Sequence, residues 1–298
     1  MKKRVVLCIA ESSLPAARRV IALSMKLLSA AQIRELDRAT IAEQRTTSTA
    51  LMERAATALA GWLHRRYTPA EAGEILLLCG PGNNGGDGLA LARLLYLGGY
   101  AVRLGLLPAA KYADDYEYNH HVLPKVIPIV ELSEDKMPEI QAGTLVIDAL
   151  FGTGLSRPLG GLAAAVVQHL NASKARVIAI DLPSGLLADA PQPDPAAPVV
   201  QAQHTISFGL PKLAFLLPQN ADYVGEWHVV DIHLSQAFME QADTPWHLTR
   251  LPAGAGFDAA LTARQPDVTL PRRGKFAYKN TFGHALLLAG SRGSVTSG

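Results

Sequence analysis

The 298-residue sequence contains only two cysteines, and this scarcity narrows what the chain can be. Cys8 and Cys79 lie far apart and form no Cys-x-x-Cys pair. We therefore expect neither a disulfide scaffold nor a thiolate metal site. The same cysteine usage is typical of a reducing compartment and predicts a cytoplasmic protein.

The chain also lacks an excess of charge of either sign. It carries 28 basic and 26 acidic side chains, for a net charge of +2. This balance gives no sign of the excess positive charge that binds nucleic acid or an anionic membrane, and we expect neither as a partner. A local anion site stays open, because a few backbone amides can hold a phosphate without any net charge.

Long hydrophobic runs are absent as well, since no stretch approaches the ~20 apolar residues of a membrane span. The basic start Met1–Arg4 followed by the apolar run Val5–Ala10 imitates a signal peptide. However, Glu11 breaks this run, which is shorter than the usual apolar region of such peptides. We therefore predict no export and interpret residues 1–24 as an extension before the organised sequence.

Short apolar runs alternate with helical patterns from about residue 25 to residue 240. Continuous runs at 74–79, 144–148 and 176–181 are typical of strands that are buried on both faces. This alternation predicts the α/β class, as a three-layer αβα Rossmann-like sandwich with a mostly parallel central sheet. Right-handed crossovers would place the carboxyl ends of the strands at one edge, where ligands bind in such sheets.

A glycine-rich segment, Gly80–Gly88, follows the first of these strands. We predict that the next helix spans Leu89–Leu97, so that this segment is a turn whose backbone N–H groups suit a phosphate or sugar. The alternative is a tight strand-to-helix connection without a ligand. Asp87 favours the functional interpretation, because it adds a carboxylate that no turn requires.

Two carboxylates, Asp148 and Asp181, each end an apolar strand at the same predicted edge. The alternative role for either is a helix N-cap, for which aspartate is a favoured residue. Asn84, Asp148 and Ser184 all supply oxygen, and if they converge they suit a hard cation better than zinc or copper. Lys212 follows a late strand and can contact a phosphate, although an ordinary solvated lysine is the favoured interpretation.

Taken together, these segments resemble one family. Residues 82–88, 148–159 and 181–186 match, in order, the YjeF amino-terminal domain, whose members are NAD(P)H-hydrate epimerases. Residues 26–37, 51–56 and 208–212 resemble it too. The resemblance covers about Met25 to Leu234, and it implies one epimerase domain over residues 25–240.

This resemblance implies interconversion of the R and S forms of hydrated NADH or NADPH (NADHX and NADPHX) at C6 of the nicotinamide ring. It further implies a potassium ion held by Asn84, Asp148 and Ser184, with Asp148 and Asp181 as catalytic candidates whose individual roles stay open. A homodimer and coupling to an S-specific dehydratase are consistent with it. The substrate-binding residues that it implies are Asn83, Asn84, Gly85, Gly86, Asp87, Gly152, Thr153, Gly154, Leu155, Ser156, Arg157, Pro158 and Asp181.

Residues 241–298 are predicted to be a proline- and glycine-containing linker and the truncated start of a second domain. Residues 281–291 resemble the opening of an ADP/ATP-dependent NAD(P)H-hydrate dehydratase, and we expect no dehydratase activity from this segment alone. Three alternatives to the epimerase remain at this stage. They are a dehydrogenase, a non-catalytic binding or scaffold module, and the remnant of a bifunctional epimerase/dehydratase.

Overall fold

The computed structural model describes residues 24–190, 192, 194, 196–249, 289–291 and 294–296. The predictions for residues 1–23 and for most of the dehydratase-like segment lie outside the described residues. The strands are β1 (Ser24–Lys26), β2 (Glu74–Cys79), β3 (Ala101–Leu106), β4 (Ile129–Glu131), β5 (Leu145–Ala149), β6 (Arg176–Ile180), β7 (His204–Phe208), β8 (Glu226–Val230), β9 (His247–Thr249), β10 (Ala289–Ser291) and β11 (Ser294–Thr296).

The described helices cover both faces of the main sheet. They are α1 (Ala30–Gln44), α2 (Ser48–His64), α3 (Pro69–Ala72), α4 (Asn83–Leu97), α5 (Asp114–His121), α6 (Gly161–Ala172), α7 (Ala221–Val224) and α8 (Gln236–Gln241), with 3-10 turns at Leu213–Leu216 and Pro218–Asn220.

The main sheet has seven strands in the order β4-β3-β2-β5-β6-β7-β8, and every neighbouring pair is parallel. The chain runs outward from β2 to β4 and then returns to β5 on the other side of β2. The strand order therefore reverses between β2 and β5, which is where ligands bind in open parallel sheets. Two short antiparallel pairs, β1–β9 and β10–β11, complete the described strands.

Alternate residues of the buried strands pack on opposite layers of helices. On β2, Ile75 and Leu77 join the core formed with α2, α4 and α5, whereas Leu76 and Leu78 join the core formed with α6. A strand covered on both faces must be apolar at every position, which explains the continuous run in the sequence. The predicted three-layer αβα sandwich with a parallel central sheet is confirmed.

Helix α1 begins at a capping-box sequence, in which Ser29 is followed three residues later by Gln32. The Ser29 hydroxyl accepts a hydrogen bond from the backbone of Gln32, and the Gln32 side chain accepts one in return from the backbone of Ser29, which is a complete capping box. The Asp189 carboxylate also accepts from the N–H of Ala30 at 3.0 Å. These contacts fix the amino end of α1 beside the carboxyl edge of the main sheet.

Helix α4 begins at Asn83, so the prediction of a start at Leu89 is wrong. Its glycines allow the helix to sit unusually close to the strands. A Cβ on Gly85 would lie 1.7 Å from the carbonyl oxygen of Gly80, and one on Gly88 would lie 2.6 Å from Cβ of Ala149. Glycine is unfavourable inside a helix by roughly 1 kcal/mol, and here close packing offsets that cost.

Within the described residues, no helix is both long enough and apolar enough to span a membrane.

Candidate active site

A pocket of about 980 Å³ opens at the carboxyl edge of β2, β5, β6 and β7, under α1 and α2. Its volume is at the upper end of the range typical of small-molecule sites. The polar side chains in its lining are those of Arg34, Asp37, Arg38, Ser48, Asn83, Asn84, Asp87, Asp115, Thr153, Ser156, Arg157, Asp181 and Lys212.

The first turn of α4 forms one wall of this pocket. Gly82 caps the helix without a side-chain hydrogen bond, and Asn83 and Asn84 line the pocket. The first N–H groups of any helix lack intrahelical partners, so this wall offers amide donors and a positive helix end to an anion. The buried Nδ2 of Asn84 has no hydrogen-bond partner among the described residues, which leaves one more donor for a ligand.

Three residues of the implied substrate site do not line the pocket. Gly85 is buried against the carbonyl of Gly80, and Gly86 is buried with its Cα facing the end of the Met52 side chain. Pro158 is exposed and lies beyond the lining residues. Gly85 and Gly86 serve helix packing here, and the role of these three residues in substrate binding stays a prediction. The other implied binding residues, Asn83, Asn84, Asp87, Gly152, Thr153, Gly154, Leu155, Ser156, Arg157 and Asp181, all line the pocket.

Asp148 lies beneath the pocket rather than in its wall. Its carboxylate is fully buried and accepts hydrogen bonds from the Ser184 hydroxyl at 2.6 Å, the Ser184 N–H at 2.8 Å and the Leu150 N–H at 3.2 Å. Burial raises the pKa of Asp148 to about 6, although these hydrogen bonds oppose the shift. Because Asp148 does not reach the pocket surface, it cannot touch a substrate there in this conformation.

Ser184 links the loops that follow β5 and β6. Its hydroxyl accepts from the N–H of Phe151 at 2.8 Å while it donates to Asp148. Two of the three residues expected to hold a cation, Asp148 and Ser184, are therefore in direct contact. Asn84 approaches the same loop from α4, since a Cβ on Gly152 would lie 3.2 Å from Asn84 Oδ1.

Asp181 stands in the pocket wall in a left-handed backbone conformation, with φ of 63°. The N–H of Leu182 donates to the carbonyl of Ile180 at 2.7 Å, which closes a three-residue turn around Asp181. Non-glycine residues in this conformation are uncommon, and they concentrate at functional sites. The turn directs one carboxylate oxygen to the N–H of Thr153, at 3.3 Å.

Lys212 is buried, so its interpretation as a solvated lysine is wrong. The side chain is only 2% exposed, and Nζ lies 2.9 Å from Oδ1 of Asp181 and 2.9 Å from Oγ of Ser207. A tight turn at Gly209, whose φ is +66°, folds the chain back over the end of β7. The lysine thereby becomes the counter-ion of the pocket carboxylate.

Further carboxylates line the same pocket. Burial raises the pKa of Asp37 to about 6, while Lys212 lowers it and Asp181 raises it. Burial, followed by the charges of Asp181, Asp37 and Asp115, raises the pKa of Asp87 well above its ordinary value. A group of carboxylates close to one buried lysine favours shared protons at neutral pH.

Asp37 was not among the predicted site residues, although the sequence carries a signal for it. It lies midway between Ile33 and Ile41 at helical spacing, and all three line the pocket. A carboxylate within the apolar stripe of an amphipathic helix is costly to bury and therefore calls for a functional explanation.

Comparisons with known proteins agree with this geometry. Residues 48–214 match the family described as YjeF-related protein N-terminus. The chain is 40% identical over 201 residues to the NAD(P)H-hydrate epimerase of Bordetella bronchiseptica, which covers 66% of this chain and 85% of that protein. It is 35% identical over 205 residues to the NAD(P)H-hydrate epimerase of Limosilactobacillus fermentum, which covers 68% of this chain and 95% of that protein.

In longer relatives, the region similar to this chain makes up only part of the protein. The chain is 35% identical over 277 residues to the bifunctional NAD(P)H-hydrate repair enzyme Nnr of Thermofilum pendens, which covers 90% of this chain and 48% of that protein. The chain thus spans about half the length of such relatives. The crystal structure of yeast ynu0 shares the fold, with a TM-score of 0.59 and 21% identity over 76% of this chain and all of that one. By its sequence match, and with a fold that agrees, the chain belongs to the family of YjeF-related amino-terminal domains.

Proposed function

We propose that the chain is an NAD(P)H-hydrate epimerase that interconverts the R and S forms of hydrated NADH or NADPH. One observation carries the proposal. Three parts of the chain that are distant in sequence line a single pocket at the reversal point of a parallel sheet: residues 82–84 with Asp87, residues 150–157, and Asp181. Relatives with the printed name NAD(P)H-hydrate epimerase are 35% and 40% identical to the chain.

Asp181 is proposed to stabilise the cation that forms during the reaction. The C6 hydroxyl of the hydrated ring lies beside the ring nitrogen, so its loss as water leaves an iminium ion. A preorganised carboxylate near that ion lowers the barrier electrostatically. Asp181 is the carboxylate of the wall that carries its own counter-ion, Lys212, and is held by a hydrogen bond from Thr153.

Asp37 is proposed to move the proton. As a carboxylic acid it donates a proton to the C6 hydroxyl, the C–O bond breaks, and the nitrogen lone pair forms the C=N bond. Water then adds to either face of the ring and returns a proton to the Asp37 carboxylate. A pKa of about 6 suits both halves of this exchange near neutral pH.

The first turn of α4 is proposed to hold the dinucleotide phosphates. Its free N–H groups at Asn83 and Asn84, together with the pocket-lining side chains of Ser156 and Arg157, provide donors for phosphate oxygens. This arrangement would fix the substrate at one end while the ring lies near Asp37 and Asp181.

Asn84, Asp148 and Ser184 are proposed to hold a potassium ion, and their chemistry fits one. Asp148 is fully buried, and no described lysine, arginine or histidine pairs with it. Its three hydrogen bonds leave Oδ2 one lone pair. Carboxylate, amide and hydroxyl oxygens are ligands for hard cations. When bound, the ion would supply the missing positive charge and fix the loops after β5 and β6.

The chain is further proposed to act in the cytoplasm as a homodimer that supplies an NAD(P)H-hydrate dehydratase. Support for the coupling comes from the bifunctional repair enzymes that match 90% of this chain. The described cysteine, Cys79, is free and buried, which is consistent with a reducing compartment.

The test is whether the chain converts purified (R)-NADHX to the S form. NMR monitors the conversion in KCl and, for comparison, in tetramethylammonium chloride of equal ionic strength. We expect conversion above the spontaneous rate, stimulated by potassium and strongly reduced in Asp181→Asn. Asp231→Asn, which alters an exposed carboxylate, is the matched control. A spontaneous rate from a folded sample would overturn the proposal and favour a non-catalytic binding module.

A further inference from the structure

Two histidines and a glutamate meet where β7 and β8 begin. His204 and Glu226 are the first residues of these neighbouring strands and are paired in register, and His228 follows on the same side of β8. One nitrogen from each histidine and one glutamate oxygen all lie within 4.8 Å of one another. The cluster is at the amino end of the parallel strands, whereas the pocket is at the carboxyl end.

The separation of the two histidine nitrogens matches that of two ligands around a tetrahedral metal ion. His204 Nδ1 and His228 Nε2 are 3.3 Å apart, where they form a hydrogen bond in the absence of a metal. Two nitrogens at ~2.0–2.1 Å from a tetrahedral zinc ion are separated by roughly 3.3–3.4 Å. Each of these nitrogens lies 3.8 Å from an oxygen of Glu226, and that side chain is 58% exposed and needs only a small movement to close the set.

The surroundings hold the two imidazole rings in place. Trp62 packs against both, with its ring centroid 5.4 Å from that of His204 and 5.0 Å from that of His228. The side chains of His204 and His228 are 22% and 13% exposed, so the rings are restrained while the cluster stays accessible from solvent. Preorganised ligands lose less conformational entropy when a metal binds.

We propose that His204, Glu226 and His228 form a binding site for a divalent transition-metal ion, with Zn²⁺ as the first choice and water as the fourth ligand. Two imidazole nitrogens and one carboxylate select zinc, nickel or copper over the hard cations that an all-oxygen site prefers. The ion would link the last two strands of the main sheet at their amino ends. The site is separate from the pocket, so the proposal does not rest on the proposed epimerase activity.

The test is calorimetric titration of the full chain, freed of any affinity tag, with ZnCl₂ in a non-chelating buffer. We expect one saturable equivalent per chain, and affinity reduced roughly tenfold or more in His228→Gln and in Glu226→Gln. His233→Gln is the matched control, because His233 is exposed and paired with Asp231 elsewhere on the surface. At a zinc concentration about a hundredfold above Kd, the melting temperature should rise by about 5 °C or more.

A second readout uses the adjacent indole. Bound Ni²⁺ or Cu²⁺ should quench the tryptophan emission of the unmodified chain, because Trp62 packs against both histidine rings, and the quenching should weaken in Glu226→Gln. Since Glu226 is mostly exposed, we expect Glu226→Gln to fold, and it tests the metal site even if a histidine variant does not fold. Equal zinc affinity in the unmodified chain and in Glu226→Gln, or no saturable binding at all, would overturn the proposal. Epimerisation should be the same with and without zinc.

Discussion

The ammonium of Lys212 lies 2.9 Å from Oδ1 of Asp181, and this ion pair joins the ends of β6 and β7. The two side chains are 2% and 15% exposed, so each charge has lost most of its water and depends on the other. The carboxylate in the pocket wall and its counter-ion therefore act as one unit, and a change in either should affect both stability and activity.

Lys212→Met should destabilise the protein by about 2–4 kcal/mol, because it leaves a largely buried carboxylate without its counter-ion. We expect the epimerisation rate to fall roughly 10²-fold, since Asp181 would no longer be held as a carboxylate beside the ring. Urea unfolding and an NADHX epimerisation assay measure the two effects. The double variant Lys212→Met/Asp181→Asn should recover at least about 1 kcal/mol of stability, whereas additive losses would argue against the pair.

Gly152→Ala should lower kcat/KM roughly tenfold or more while the protein stays folded. Its new Cβ would lie 2.9 Å from Oδ2 of Asp181 and 3.2 Å from Oδ1 of Asn84, so both site side chains would have to move. Gly154→Ala is the control in the same loop, because its Cβ would meet no atom within 4 Å. Similar activity loss in both variants would show that the contact with Asp181 is not the cause.

Asp37→Asn should stabilise the protein and slow the reaction. The pKa of Asp37 is raised from 3.8 to about 6 by folding, so its ionisation opposes the folded state. The contribution of Asp37 to the stability of the unmodified chain should therefore fall as the pH rises from about 4 through about 6, and the loss persists above that. Allowing for solvent screening, the variant should gain roughly 1–2 kcal/mol at pH 8 and almost nothing at pH 4.

Asp37→Asn should also change how the reaction depends on pH. The profile of kcat/KM against pH should bend near pH 6 in the unmodified chain and lose that bend in Asp37→Asn, with a rate roughly 10²–10⁴-fold lower. Asp231→Asn should keep both the bend and the rate. An unchanged profile in Asp37→Asn would transfer the proton-moving role to another carboxylate, and Asp87 would be the next to test.

Potassium should raise the melting temperature relative to tetramethylammonium at equal ionic strength, because a bound cation would compensate the buried charge of Asp148. Asp148→Asn should abolish this increment, and Ser184→Ala should reduce it. Asp231→Asn should retain it in full. An increment that survives in Asp148→Asn would place the potassium effect elsewhere in the protein.

The layered fold could be predicted from the sequence because short stretches of residues determine its individual strands and helices. Apolar runs such as 75–79 and the Ser29 capping box each specify an element by themselves. The start of α4 could not be placed in this way, since residues 83–88 contain no apolar side chain and therefore give no periodic signal. Gly80, Gly82 and Gly85 do have the Gly-x-Gly-x-x-Gly spacing of a turn that opens a helix, which the prediction at Leu89 overlooked.

That spacing also occurs in dehydrogenases, but this chain lacks their second feature. The ribose-binding acid of such enzymes follows the next strand, and here β3 is followed by Leu107 and Pro108. The role of Lys212 could not be predicted from sequence either. Its burial depends on the turn at Gly209 bringing it to Asp181, a contact between residues that are far apart in the chain.

The close packing of α4 against the strand ends also limits how far this wall of the pocket can move. A Cβ on Gly80 would lie 1.8 Å from the carbonyl oxygen of Leu150, and one on Gly85 would lie 1.7 Å from the carbonyl oxygen of Gly80. The backbone segments are therefore in direct contact here, with no flexible side chain between them that could move. For the proposed function, the site has to accept two mirror configurations at a single carbon. We expect the diphosphate end of the substrate to be clamped in one orientation, while the ring turns over beneath α1 to offer either face.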